Sequence, residues 1–144
     1  MKLLGLSIFV SVSLAATAFG RIGEDEKTIE VRYGKAGKDL GTHGEVHEVG
    51  YIANGFMILV DYVNGISQRE GFTKPDTSVL TEQNIKDILE MSTPQGVSWQ
   101  QGDSKSSDKV WNRSDQKAVA VLPGMGKFLF VQDVNFVQPG DQKK

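Results

Sequence analysis

The sequence predicts an α+β domain: two helices packed on one antiparallel sheet, in the order helix-βββ-helix-ββββ. Three observations carry that prediction. Two Asn-Gly pairs, Asn54-Gly55 and Asn64-Gly65, stand ten residues apart between β-rich runs. Residues 81–91 place apolar side chains at helical spacing behind a capping threonine. The final third alternates short β-rich runs with polar or glycine-rich breaks.

Residues 1–18 read as a cleavable secretory signal, outside this plan. Lys2 gives a positive start, an apolar run follows from Leu3 to Ala16, and Ala16 and Ala18 are the small residues a signal peptidase recognises. The run is too short for the roughly 20 residues that span a bilayer. Charged residues from Arg21 to Lys27 follow almost at once. Processing predicts a chain starting at Phe19, with Arg21 as second choice, secreted or periplasmic and without a membrane anchor. Residues 19–137 then form a single domain, and 138–144 a polar tail.

Residues 24–33 are ambiguous. Ile29, Val31 and Tyr33 alternate like a strand, but Glu24-Asp25-Glu26 suits a helix start and Gly34 suits its end. Helix is the better reading, because Ile22, Ile29 and Tyr33 then share a face. Next comes the meander. Asn-Gly tolerates the positive φ that a two-residue type I′ hairpin needs at both central positions. Strands at 45–53, 56–63 and 66–73 follow, with Tyr51 opposite Ile58, Val49 opposite Val60 and His47 opposite Tyr62. Carried through the second turn without interruption, this register puts Ser67, Arg69, Gly71 and Thr73 on the face of Val60. The other face then holds Met57, Leu59 and Phe72 among Asp61, Gln68 and Glu70.

The second helix spans 81–91. Thr81 is its cap, Leu80 and Ile85 form a staple, Ile85, Ile88 and Leu89 make the buried stripe, and Pro94 closes the segment. Beyond it, strands are expected at 97–101, 109–113, 117–122 and 127–136. A four-residue loop at 123–126 would pair Val121 with Phe128 and Val119 with Phe130. A short turn at 114–116 would bring Trp111 beside Val119. The two halves share a plan that suggests a duplicated αβββ unit.

Composition narrows the function. The chain has no cysteine, which removes thiol nucleophiles and thiolate metal sites. Its formal charge is −2, and loss of Lys2 from its 16 basic residues leaves 15 against 18 acidic ones. With no basic cluster beyond Lys143-Lys144, nucleic acid is not an expected partner.

The acidic helix ending in Tyr33-Gly34-Lys35, followed by a meander ending in Asn64-Gly65-Ile66, resembles small exported bacterial proteins. In outline it is similar to the BamE (SmpA/OmlA) lipoprotein group and to β-lactamase-inhibitor-protein-like domains. The resemblance covers residues 22–136 in plan. It implies action by binding another protein, without catalysis. The acylated cysteine of the first group and the disulfides of the second have no counterpart here.

No candidate for chemistry stands out. His43 and His47 are the only histidines, but four residues along a strand separate them by about 13 Å, too far to share one ion. His43 reads as a loop residue and His47 as a strand residue. Ser67 sits in a hairpin instead of a nucleophile elbow. Gly124 and Gly126 precede a strand, so no helix N-terminus is there for phosphate. Residues 103–108 lack calcium-loop spacing. Asp25, Glu26, Asp61 and Glu70 offer the carboxylates for a small hydrolase, and a carrier of an apolar ligand is a third possibility. The leading expectation is a non-catalytic binding or assembly module with a protein partner and no cofactor. Its candidate partner-binding residues are Leu59, Phe72, Trp99 and Arg113.

Overall fold

The computed structural model describes residues 22–35 and 37–138; the expected signal sequence and most of the polar tail lie outside them. Two helices and eight strands follow in the order α1 (Glu26–Tyr33), β1 (Lys38–His43), β2 (Val46–Ala53), β3 (Phe56–Val63), β4 (Ile66–Thr73), α2 (Glu82–Met91), β5 (Trp99–Gly102), β6 (Lys109–Arg113), β7 (Ala118–Leu122) and β8 (Leu129–Asp133). All strands join one antiparallel sheet of order β1-β2-β3-β4-β8-β7-β6-β5. Each half is a helix followed by a four-strand meander, and the two meanders meet through their last strands.

The expected order helix-βββ-helix-ββββ is therefore corrected to helix-ββββ-helix-ββββ, and the repeating plan is αββββ, not αβββ. The missed strand is β1. Every one of its residues is exposed, so no apolar alternation marks it, and a two-residue turn at Gly44-Glu45 joins it to β2. His43 thus ends a strand, not a loop. Leu40 is an extra residue in β1, a bulge on an edge that such bulges help protect from further pairing.

The local signals explain the rest. Asn54 and Gly55 have φ of 52° and 81°, Asn64 and Gly65 of 52° and 75°, as a type I′ turn requires. The β2–β3 register is the one the first Asn-Gly pair sets, with His47 opposite Tyr62 and Tyr51 opposite Ile58. Asp25 caps α1, its carboxylate accepting from the Thr28 backbone N–H at 2.7 Å. On α2, the Thr81 hydroxyl accepts from Asn84 N–H at 3.2 Å and the Asn84 side chain accepts from Thr81 N–H at 3.0 Å.

Both helices lie on one face. Ile29 and Tyr33 of α1 and Ile85 and Ile88 of α2 join one cluster with Val49, Tyr51, Ile58, Val60, Phe72, Leu129, Val131 and Trp111. No helix of the described residues is long and apolar enough to cross a membrane.

Register decides which side chains the helices cover. Gln68 is an extra residue in β4, since Asp61 pairs with Arg69 while Tyr62 pairs with Ser67. One extra residue moves every later side chain to the other face. Phe72 and Glu70 therefore turn under the helices, and Arg69, Gly71 and Thr73 turn away. The uninterrupted register predicted the reverse. A second difference lies at the far end. The β6–β7 turn has four residues, so Trp111 pairs with Ala120, and the β7–β8 connection has six, so Val121 pairs with Phe130. Trp111 is thus covered, while Val119, Val121 and Phe130 are on the open face.

Candidate functional site

The sheet face away from the helices is built from two parallel rows of side chains. In the first row Lys38 stands across from Gly50, Gly50 from Leu59, Leu59 from Gly71, and Gly71 from Phe130. It continues from Phe130 to Val121, to Val110 and to Gly102, crossing all eight strands. The second row runs Glu48, Asp61, Arg69, Gln132, Val119, Asn112 and Gln100. Beyond Lys38 at its edge the first row is apolar with three glycines, and the second is mostly polar.

Large neighbours lean over the glycines. A Cβ on Gly71 would meet the Phe130 ring at 3.0 Å, and one on Gly50 would find Leu40 at 3.8 Å. The missing side chains let these neighbours lie low on the sheet, which levels the row. Phe128 stacks on Phe130 with centroids 6.0 Å apart and planes within 10°. The Arg69 guanidinium lies 5.3 Å from the ring centroids of both Phe130 and Phe136. Phe136 thereby folds the segment after β8 against the polar row.

Arg69 is anchored below by Asp61, with Nε and Nη2 each 2.6 Å from Oδ2. Asp61 is buried, its Oδ1 has no hydrogen-bond partner, and burial pushes its pKa up against the opposing pull of Arg69.

A second polar cluster lies under α1. The Tyr33 hydroxyl donates to Glu70 Oε2 at 3.0 Å, and the Tyr51 and Tyr62 hydroxyls are 2.9 Å apart. Glu70 is fully buried and its Oε1 has no partner, so burial pushes its pKa up to about 7. Burial also raises the pKa of Tyr33 and Tyr62. Glu70 is there because Phe72 is: residues two apart in a strand share a face, and burying the phenyl ring carries the carboxylate in with it. The cluster is enclosed, and its geometry fits a tie between α1 and the sheet.

The sequence-predicted residues separate. Leu59 is half-buried in the middle of the open face. Phe72 does not face outward as expected; the Gln68 bulge leaves it fully buried against Phe56, edge to face at 6.4 Å. Trp99 points to the covered side, its indole N–H donating to Leu89 O at 3.0 Å and Thr93 Oγ1 at 2.8 Å. Arg113, 4% exposed, binds Asp115 through Nε at 2.9 Å and lies 5.9 Å from the Trp99 ring. Trp99 and Arg113 thus hold the end of α2 to the sheet. The residues that sequence reasoning missed are Val119, Val121 and Phe130. Their alternation was visible, but which face it served depended on loop lengths.

The carboxylates do not converge. Asp61 faces outward and Glu70 inward on opposite sides of the sheet, and Asp25 is an exposed cap. His47 Nε2 is 3.0 Å from Asp39 Oδ1 at the β1–β2 edge. Among the described residues, no three His, Asp or Glu side chains group closely enough to hold a metal ion. An open cleft of about 350 Å³ lies between Ile22, Arg113, Lys117, Asp133 and Asn135, and Arg113 Nε beside it donates to Asp115 Oδ1 at 2.9 Å.

No protein-family model, no curated protein and no solved structure matches this chain.

Proposed function

We propose that this chain is an exported, non-catalytic binding or assembly module that docks a protein partner on the open face of its sheet. The observation that carries the reading is the apolar exposure of that face. Leu40, Ile52, Met57 and Phe128 are 41%, 74%, 43% and 40% exposed, around the half-buried Leu59, Phe130, Val121 and Val110. Contiguous apolar surface beside a polar border is the composition interfaces use, and single chains seldom leave so much of it in water. Of the free face expected from the sequence, Met57 and Leu59 support this reading and Phe72, buried on the opposite face, does not.

Leu59→Lys tests the site. The substitution puts a charge in the middle of the row without entering the helix-covered core. Bait protein should capture a partner from an extracytoplasmic extract, and the folded variant should lose it. Equal capture by both would remove the open face as the site. Export is tested by sequencing the N-terminus of protein recovered outside the cytoplasm, where Phe19 is expected and an intact Met1 would overturn processing.

A further inference from the structure

We propose that α1 is a pH-operated cover: it stays docked while Glu70 carries its proton and lifts from the sheet when Glu70 ionises. This goes beyond the docking surface and is independent of it, because α1 lies on the opposite side of the sheet.

Docking rests on few contacts. Of the eight residues of α1, Ile29 and Tyr33 are buried. The Tyr33 hydroxyl donates to Glu70 Oε2 at 3.0 Å, and its ring centroid lies 5.8 Å from that of Tyr51. A helix of eight residues is too short to persist alone in water, so whatever undocks it also unwinds it. The chain is fastened on either side. Before α1, the Ser67 hydroxyl accepts from the N–H groups of Gly23 and Glu24, each at 3.2 Å, and Asp25 bridges to Ile66. After it, Gly37 N–H donates to Gly50 O at 2.9 Å and β1 begins. Between those fastenings Gly34, at φ of 90°, ends the helix and supplies a pivot. Release can therefore be local and leave the sheet joined.

An ionised Glu70 has little to balance it. The side chain is fully buried and its Oε1 has no hydrogen-bond partner. The cation acting on it is Arg32, which Glu24 holds through both Nη atoms, and Glu24 itself repels Glu70. From α1, Glu26 acts on the hydroxyls of both Tyr51 and Tyr62, and Glu30 on that of Tyr51, as Glu70 does from below. Val60 of β3 and Val131 of β8 flank Glu70, and α2 brings Ile85 and Ile88 to the same cluster. His47, bound to Asp39, stands beyond Tyr62 with ring centroids 6.3 Å apart. A carboxylate formed here is cut off from water under a segment carrying Glu24, Glu26 and Glu30. Opening to solvent relieves both costs, whereas a neutral carboxyl meets neither.

The size of the effect follows from the two states. Glu70 has its ordinary value of 4.5 when α1 is lifted and is pushed up to about 7 when α1 is docked. The docked state therefore holds the proton more tightly and is favoured at low pH. Between pH 5 and pH 8 opening should become roughly 70-fold more favourable.

Amide hydrogen exchange of the folded chain, corrected for the intrinsic rate at each pH, supplies the test. Ile29 and Gly34 report on α1, their N–H groups bonded to Asp25 O and Glu30 O. Ile85 and Ser92 report on α2, bonded to Thr81 O and Ile88 O. Protection at Ile29 and Gly34 should fall roughly 70-fold from pH 5 to pH 8. It should not respond to low urea and should stay below that of Ile85 and Ser92 throughout. In Glu70→Gln and in Glu70→Met, neither of which can ionise, α1 protection should be equal at the two pH values. His47 is present in all three chains, so its titration cancels in the comparison.

Unchanged α1 protection in the wild type overturns the proposal, as does an equal fall in either variant. So does exchange of α1 and α2 at one common protection that drops with urea, since α1 then leaves the sheet only when the whole domain unfolds.

Discussion

Glu70 should make this domain lose stability as the solution turns from acid to mildly alkaline, against the usual behaviour of paired surface carboxylates. Its ordinary pKa is 4.5, and burial with a single hydrogen bond from Tyr33 pushes it up to about 7 in the fold. A raised folded pKa means that the native state holds the proton more tightly than the unfolded chain. The contribution is complete below pH 4.5 and disappears as pH rises through 7. At 1.36 kcal/mol per unit the difference is about 3 kcal/mol, a large part of the 5–15 kcal/mol that holds a domain together. Asp25, Asp39, Asp76 and Asp115 have lowered values from hydrogen bonds. Their contribution has the opposite sign and is lost only at pH below the ordinary carboxylate range, so it is constant across this window. Asp61 is raised by burial and adds to the wild-type slope. The comparison must therefore be with Glu70→Gln, which keeps an acceptor for Tyr33 and cannot ionise. Thermal melts followed by circular dichroism at pH 5 and pH 8 provide the measurement. At pH 8 the variant should melt about 10 °C above wild type, and at pH 5 the two should nearly coincide. Melting curves that stay parallel across the range would refute the reasoning, because Glu70 would then not ionise against a buried setting.

Three further outcomes follow from particular contacts. Gly65→Val forces a β-branched residue to φ of 75° and should cost about 1–3 kcal/mol, read as a lower urea midpoint. Gly71→Ala drives a methyl into the Phe130 ring at 3.0 Å and should cost about 1–3 kcal/mol, with most of it recovered when Phe130→Leu removes the ring. Trp99→Phe deletes the donor to Leu89 O and Thr93 Oγ1 and should cost about 1 kcal/mol in denaturant melts. Capture of a partner should be unchanged by it, since the indole faces the covered side.

Sequence by itself determined what depends on a few neighbouring residues. Asn54-Gly55 and Asn64-Gly65 fix two hairpins, because positive φ at both positions suits few other pairs. Asp25 and Thr81 start the helices, because a short oxygen-bearing side chain satisfies the free N–H groups of a first turn. Strand β1 escaped because an edge strand with no buried side chain leaves no alternation to see. Tertiary structure alone decided the faces. A bulge at Gln68 and two loop lengths set whether Phe72, Trp111 and Phe130 turn toward the helices or away, and all the residues involved are apolar either way. The join of β4 to β8 likewise depends on which two edges of the separate meanders are left unpaired. A strand's alternation has period two, so it shows that one face is buried but not which one. A single extra residue, placed by packing far along the chain, chooses between them.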